Sequence, residues 1–76
     1  MYRWEQSNPT SLKCYVGNTP VGKVIEAYKG RLLAEISTTG FSKGIYMDLT
    51  QIEEAKQWVE KAYEDHQNWL KQKNFK

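Results

Sequence analysis

Two strand-like runs, Val21–Tyr28 and Arg31–Ser37, are separated by Lys29-Gly30 alone. So short a link between alternating runs admits a β-hairpin and little else, and its length fixes which residues face each other. It predicts Tyr28 opposite Arg31, Ala27 opposite Leu32, Glu26 opposite Leu33 and Ile25 opposite Ala34. An earlier run, Leu12–Val16, joins through Gly17-Asn18-Thr19-Pro20. Read as a turn of those residues, the link sets Val16 opposite Val21 and Cys14 opposite Lys23.

Side chains alternate between the faces of a strand, so these pairings sort the hairpins into two sets. Leu12, Cys14, Val16, Val21, Ile25, Ala27, Leu32, Ala34 and Ile36 share one face, apolar except for Lys23 at its end. Lys13, Tyr15, Val24, Glu26, Tyr28, Arg31, Leu33, Glu35 and Ser37 share the other. Past a loop at Thr38–Lys43, Gly44-Ile45-Tyr46-Met47 adds a fourth short strand with Tyr46 on the second face.

From about Leu49 the apolar period changes from two to that of a helix. Ile52, Ala55, Val59, Ala62, Tyr63, His66, Trp69 and Leu70 fall on one arc, with Trp58 at its edge. Asp48 or Thr50 is the expected N-cap, Glu53 and Glu54 follow in the first turn, and Lys71, Lys73 and Lys76 suit the C-terminal end of the dipole. The expected fold is α+β, one domain over residues 1–76. An arm and loop span 1–11. A three- to four-stranded antiparallel meander spans 12–47 (strands about 12–16, 21–28, 31–37 and 44–47). A C-terminal helix, about 49–73, packs on the apolar face, with 48–76 as helix and short tail.

Such a helix is about 37 Å long, against about 17 Å for a five-residue strand. Its last turns, with Trp69, Leu70 and Phe75, should overhang and need cover, either from the arm with Tyr2 and Trp4, which is preferred, or from another chain.

Composition narrows the function. Charged residues make up 26% and the formal charge is +2, too small to announce a nucleic-acid partner on its own. Cys14 is the one cysteine, which excludes an internal disulfide and suits a reducing compartment. The start Met1-Tyr2-Arg3-Trp4-Glu5-Gln6 lacks an apolar core, so no signal peptide is expected, and no run is long enough to span a bilayer. A cytoplasmic location follows as the expectation.

Gly17-Asn18-Thr19-Pro20-Val21-Gly22-Lys23-Val24 fits the phosphate-loop spacing GxxxxGK. That motif needs a Ser or Thr where Val24 stands and a helix after it, whereas Val-Ile-Glu-Ala-Tyr alternates as a strand, so a hairpin is the reading. Cys14 and His66 are the only thiol and imidazole, and nothing marks a third group to orient them as a dyad. One His and one Cys do not fill a metal's ligand set, and Glu60 and Glu64 lie one turn apart on a solvated helix face. No catalytic residue, metal or cofactor is expected.

The second sheet face is the expected working surface. Tyr15, Tyr28, Arg31, Leu33 and Tyr46 form an aromatic, charge-balanced set suited to binding another protein, with Trp58 and Trp69 as a second candidate patch. Nucleic-acid binding through Lys13, Lys29, Arg31 and Lys43 is the alternative. Residues 1–47 carry six basic groups against three acidic, and residues 48–76 five against six. A homodimer joined through the C-terminal half of the helix is compatible with either.

Two resemblances bear on these readings. Gly30-Arg31-Leu32-Leu33-Ala34-Glu35-Ile36, Gly44-Ile45-Tyr46-Met47-Asp48-Leu49-Thr50 and Glu53-Glu54-Ala55 are similar in layout to the AP2 and integrase N-terminal arm-binding domains, over residues 21–62. That resemblance implies a sheet entering the DNA major groove with Arg31, Leu33, Glu35 and Ser37 toward the bases, of which only Arg31 is basic. Val16-Gly17 with Val21-Gly22, Gly30 with Ala34, and Ala55-Lys56 with Val59-Glu60 resemble small orphan proteins of tailed phages and prophages. Some of those bind and block host defence systems, including CRISPR complexes and restriction enzymes, so this resemblance implies a host defence protein as partner.

Overall fold

The chain was analysed as a computed structural model, which describes residues 1–73. Five antiparallel strands run in chain order across one sheet: β1 Tyr2–Asn8, β2 Ser11–Val16, β3 Thr19–Tyr28, β4 Arg31–Thr38 and β5 Phe41–Asp48. Helix α1, Ile52–Lys73, then lies over β3 and β4. The α+β class and the meander are as expected; the strand count is higher and the strands are longer. The tail with Phe75 and Lys76 lies outside the described residues.

The residues expected as an arm form β1. Its Tyr2, Trp4 and Gln6 face Val16, Cys14 and Leu12 of β2. Polar Gln6-Ser7-Asn8 disguised the strand's end. The turn itself is only Pro9-Thr10, closed by the Asn8 side-chain oxygen, which accepts from the Thr10 amide at 3.0 Å. The second turn is likewise shorter than expected, with Val16 opposite Thr19 across Gly17-Asn18. Gly17 takes φ +63°, the left-handed backbone that the first position of such a turn requires. Thr38 faces Phe41 across Thr39-Gly40, so the residues read as a loop extend β5.

The largest correction concerns β3. It carries two irregularities, one opposite Cys14–Tyr15 and one between Glu26 and Tyr28, which leave Val21 and Ala27 as extra residues. Each such bulge resets the alternation of the strand. Cys14 therefore faces Gly22, and Val24 faces Ala34, in place of the pairs the turn lengths predicted. Val24 is 3% exposed, while Ile25 moves to the outer side opposite Leu33. Lys23 moves outward with it, and Glu26 moves inward opposite Leu32. Tyr28, beyond the second bulge, returns to the expected side opposite Arg31.

The core consists of Cys14, Val21, Val24, Leu32, Ala34 and Ile36 beneath Ala55 and Val59. Helix and sheet approach closely because three small residues line the seam. A Cβ on Gly22 would stand 2.6 Å from Val59 Cγ1 and 2.7 Å from the Glu35 carbonyl oxygen.

The helix begins at neither expected cap. The Gln51 carbonyl accepts the first helical bond, from the Ala55 amide at 2.8 Å, and the Gln51 side chain accepts from the Asp48 amide at 3.0 Å. Asp48 instead ties the preceding turn by accepting from the Thr50 amide at 3.2 Å. Glu53 and Glu54 occupy the first turn as expected.

Longer strands shorten the overhang of α1, and the cover for its last turns comes from the β4–β5 hairpin rather than from the start of the chain. Phe41 stacks on His66 at 4.0 Å between centroids and 8° between planes, and Trp69 lies beyond His66 at 5.9 Å.

Because both atoms nearest an added Gly22 Cβ belong to the seam, Gly22→Ala should lower unfolding free energy by about 1–3 kcal/mol. The midpoint of guanidinium denaturation, followed by circular dichroism, measures it.

Candidate functional site

Residues facing each other across antiparallel strands share a side, so the register draws the outer face row by row. One row reads Glu5, Lys13, Lys23, Glu35 and Gly44. The next reads Ser11, Ile25, Leu33 and Tyr46, and the next Tyr28, Arg31 and Asp48. The last two rows bring four of the expected residues together at one end of the sheet. Tyr28 and Tyr46 are 69% and 53% exposed, and their rings lie 5.8 Å apart at 33°. With Lys29 and Arg31 they line an open hollow. Half-buried Ile25 and Leu33 stand in the neighbouring row of the same face.

Tyr15 does not join them. It faces Pro20, eight residues along β3 from Tyr28, which is about 26 Å of strand. The Arg3 guanidinium lies over its ring at 4.7 Å. Sequence reasoning had no means of placing Ile25 in the patch, since only the β3 bulges turn it outward.

The other candidate residues are dispersed. Trp58 packs half-buried against the core, beside a groove that also contains Lys43, Met47 and Asp65. Trp69 stands three turns further along α1, about 16 Å away, so the two tryptophans do not form one patch. Lys13 and Arg31 are on the outer face and Lys29 in its turn, but Lys43 faces Ile36 and so lies on the helix side. Lys23 takes its place outside, and its ammonium is 3.5 Å from Glu35.

On the inner side, β1 is fastened to mid-helix. The Trp4 indole donates to Glu60 Oε2 at 2.8 Å, and the Tyr2 hydroxyl donates to the Glu60 carbonyl oxygen at 3.1 Å and to Glu64 Oε2 at 3.2 Å. Lys56 sits over the Trp4 ring at 5.6 Å. Burial, then the Glu64 hydrogen bond and the charges of Glu64 and Glu60, raise the Tyr2 phenol above its ordinary range.

Cys14 is fully buried, and burial, with a smaller contribution from Glu60, pushes its thiol up to about 11. A thiol so placed is protonated at neutral pH and out of reach of a substrate. His66, its conceivable partner, is stacked on Phe41 at the hairpin tip. Gly17 to Lys23, which fit the phosphate-loop spacing, form a turn and the start of β3, with strand and not helix beyond. Among the described residues no group of three or more His, Cys, Asp or Glu is placed to hold a metal ion. None of their helices is long and apolar enough to cross a membrane.

No protein-family model matches the chain, and no curated protein or solved structure matches it.

Cys14 and Tyr2 hold their protons more tightly folded than unfolded. The stability Cys14 contributes is complete below the unfolded thiol's value of 9.0 and is lost as pH climbs through about 11, while that of Tyr2 is complete below 10.0 and is lost at higher pH still. The denaturation midpoint should therefore fall over that window, and less steeply in Cys14→Ala, as urea titrations at a series of alkaline pH values would record.

Proposed function

We propose that this chain is a small, non-catalytic protein-binding module, and that the Tyr28–Tyr46 end of its outer sheet face is the working surface. The observation that carries the reading is the pairing of its two most exposed tyrosines, 69% and 53% accessible, beside Arg31 and on the same face as Ile25 and Leu33. Rigid aromatic rings and an arginine are the residue types that dominate binding energy at protein interfaces. They stand on hydrogen-bonded strands, so little side-chain or backbone ordering is needed when a partner arrives. Fastening β1 to the helix and burying Cys14 leave the chemistry-bearing groups engaged in structure.

The resemblance to small phage proteins adds a partner class. On that reading the module acts in the cytoplasm of a host cell and inhibits a host defence protein by covering a surface that protein needs.

A second reading draws on the reset register. Lys23 joins Lys13 directly opposite it on the outer face while Glu26 leaves, so that face carries Arg3, Lys13, Lys23 and Arg31 against Glu5, Glu35 and Asp48. Phosphate binding along this surface is the alternative function, with Lys23 in the place expected for Lys43.

Capture from a host lysate onto immobilised protein, read by mass spectrometry, should weaken at least tenfold for specific partners in Tyr28→Ala and Arg31→Ala, each at about 1.4 kcal/mol or more. Thermal midpoints of both should stay near that of the parent, since both residues are exposed. Equal capture by both variants removes this face from the reading. Fluorescence titration with duplex and single-stranded DNA at two salt concentrations tests the alternative. Affinity that falls steeply with salt and weakens in Lys13→Ala and Lys23→Ala supports it, and no binding at low salt retires it.

A further inference from the structure

The two edges of the sheet are unlike. β1 is irregular between Gln6 and Asn8, and Tyr2 and Trp4 anchor it to α1. β5 pairs with β4 without a break over eight residues, from Phe41 opposite Thr38 to Asp48 opposite Arg31, while each of the other strand pairs contains an irregularity. A long regular edge presents a row of unpaired amides and carbonyls, a template for another strand. The inner side of β5 is also incompletely roofed, because α1 lies over β3 and β4. There Lys43 and Met47 line a groove with Glu54, Trp58 and Asp65. Lys43 and Glu54 are exposed, and neither is ion-paired among the described residues.

We propose that β5 pairs antiparallel with β5 of a second copy of this chain, about a two-fold axis at Ile45, to make one continuous sheet from two. Ile45 then faces its own equivalent, Gly44 faces Tyr46, Lys43 faces Met47 and Ser42 faces Asp48. In this register inner residues meet inner and outer meet outer, and the two-fold axis makes every off-axis contact twice.

One feature of the sequence matches itself across that axis. On the inner side, Lys43 comes beside Met47 of the second copy, at the end of β5 from which the chain turns into α1. That places its ammonium next to the Glu54 carboxylate of the second copy. A foreign extended strand would satisfy the same backbone row, but the lysine–glutamate match is a property of this chain against itself.

Lys43 and Glu54 lie on the helix side, away from the face proposed for partner binding, so the test is separate from that reading. Sedimentation velocity of the full chain over roughly a hundredfold range of concentration should show a monomer giving way to a dimer. Lys43→Glu and Glu54→Lys should each shift the dimerisation constant at least tenfold toward monomer, and the combined charge swap should restore it. Circular dichroism should show the fold retained in each single variant. A parent chain that sediments as a monomer throughout overturns the proposal, including the case in which a foreign strand is the natural occupant of the edge. A dimer equally strong in all the single variants overturns it as well.

Discussion

The seating of Val59 against the bare backbone of Gly22 is the contact on which the rest of the fold depends. A helix can approach a sheet this closely only where side chains are missing or small, and Gly22, Ala34 and Ala55 supply that at one seam. Gly22 faces the helix because the preceding irregularity in β3 inserts Val21 and turns the next residue inward. Together with the second irregularity, at Ala27, it buries Val24 and carries Lys23 and Ile25 to the opposite side. Helix position, core content and outer-face chemistry are therefore consequences of two extra residues in one strand.

That dependence explains which parts of the fold could be read in advance. β4 was legible throughout, since Leu32, Ala34 and Ile36 alternate cleanly and its partner β5 follows without interruption. The helix was legible from its apolar period, with Ala55 and Val59 buried on the expected arc. β3 was not, because Val21, Gly22, Val24, Ile25 and Ala27 are all small or apolar and fit either parity. Only packing against Val59 chooses between the two. β1 escaped for a different reason. Glutamine, serine and asparagine at its end have low strand propensity, and pairing with β2 overrides it.

The candidate surface divides in the same way. Arg31 and Leu33 follow the Lys29-Gly30 turn that Tyr28 directly precedes, and alternation puts Tyr46 on their side, so their common face could be read from the chain. Tyr15 shares their face but not their neighbourhood, a distinction that alternation alone cannot make, since it reports side and not distance. Lys43 was assigned by charge without regard to side, and its register with Ile36 places it on the helix side of the sheet instead.

The junction of Tyr2 and Trp4 with Glu60 and Glu64 spans 56 to 62 residues of chain. Hairpins with two-residue turns can zip locally within microseconds, whereas a bond of that reach must wait until nearly the whole ribbon has been laid down. The first strand is thus the last to be locked. Any fluctuation that lifts the middle of the helix frees its two aromatic rings at the same moment, so the edge strand and the helix loosen together.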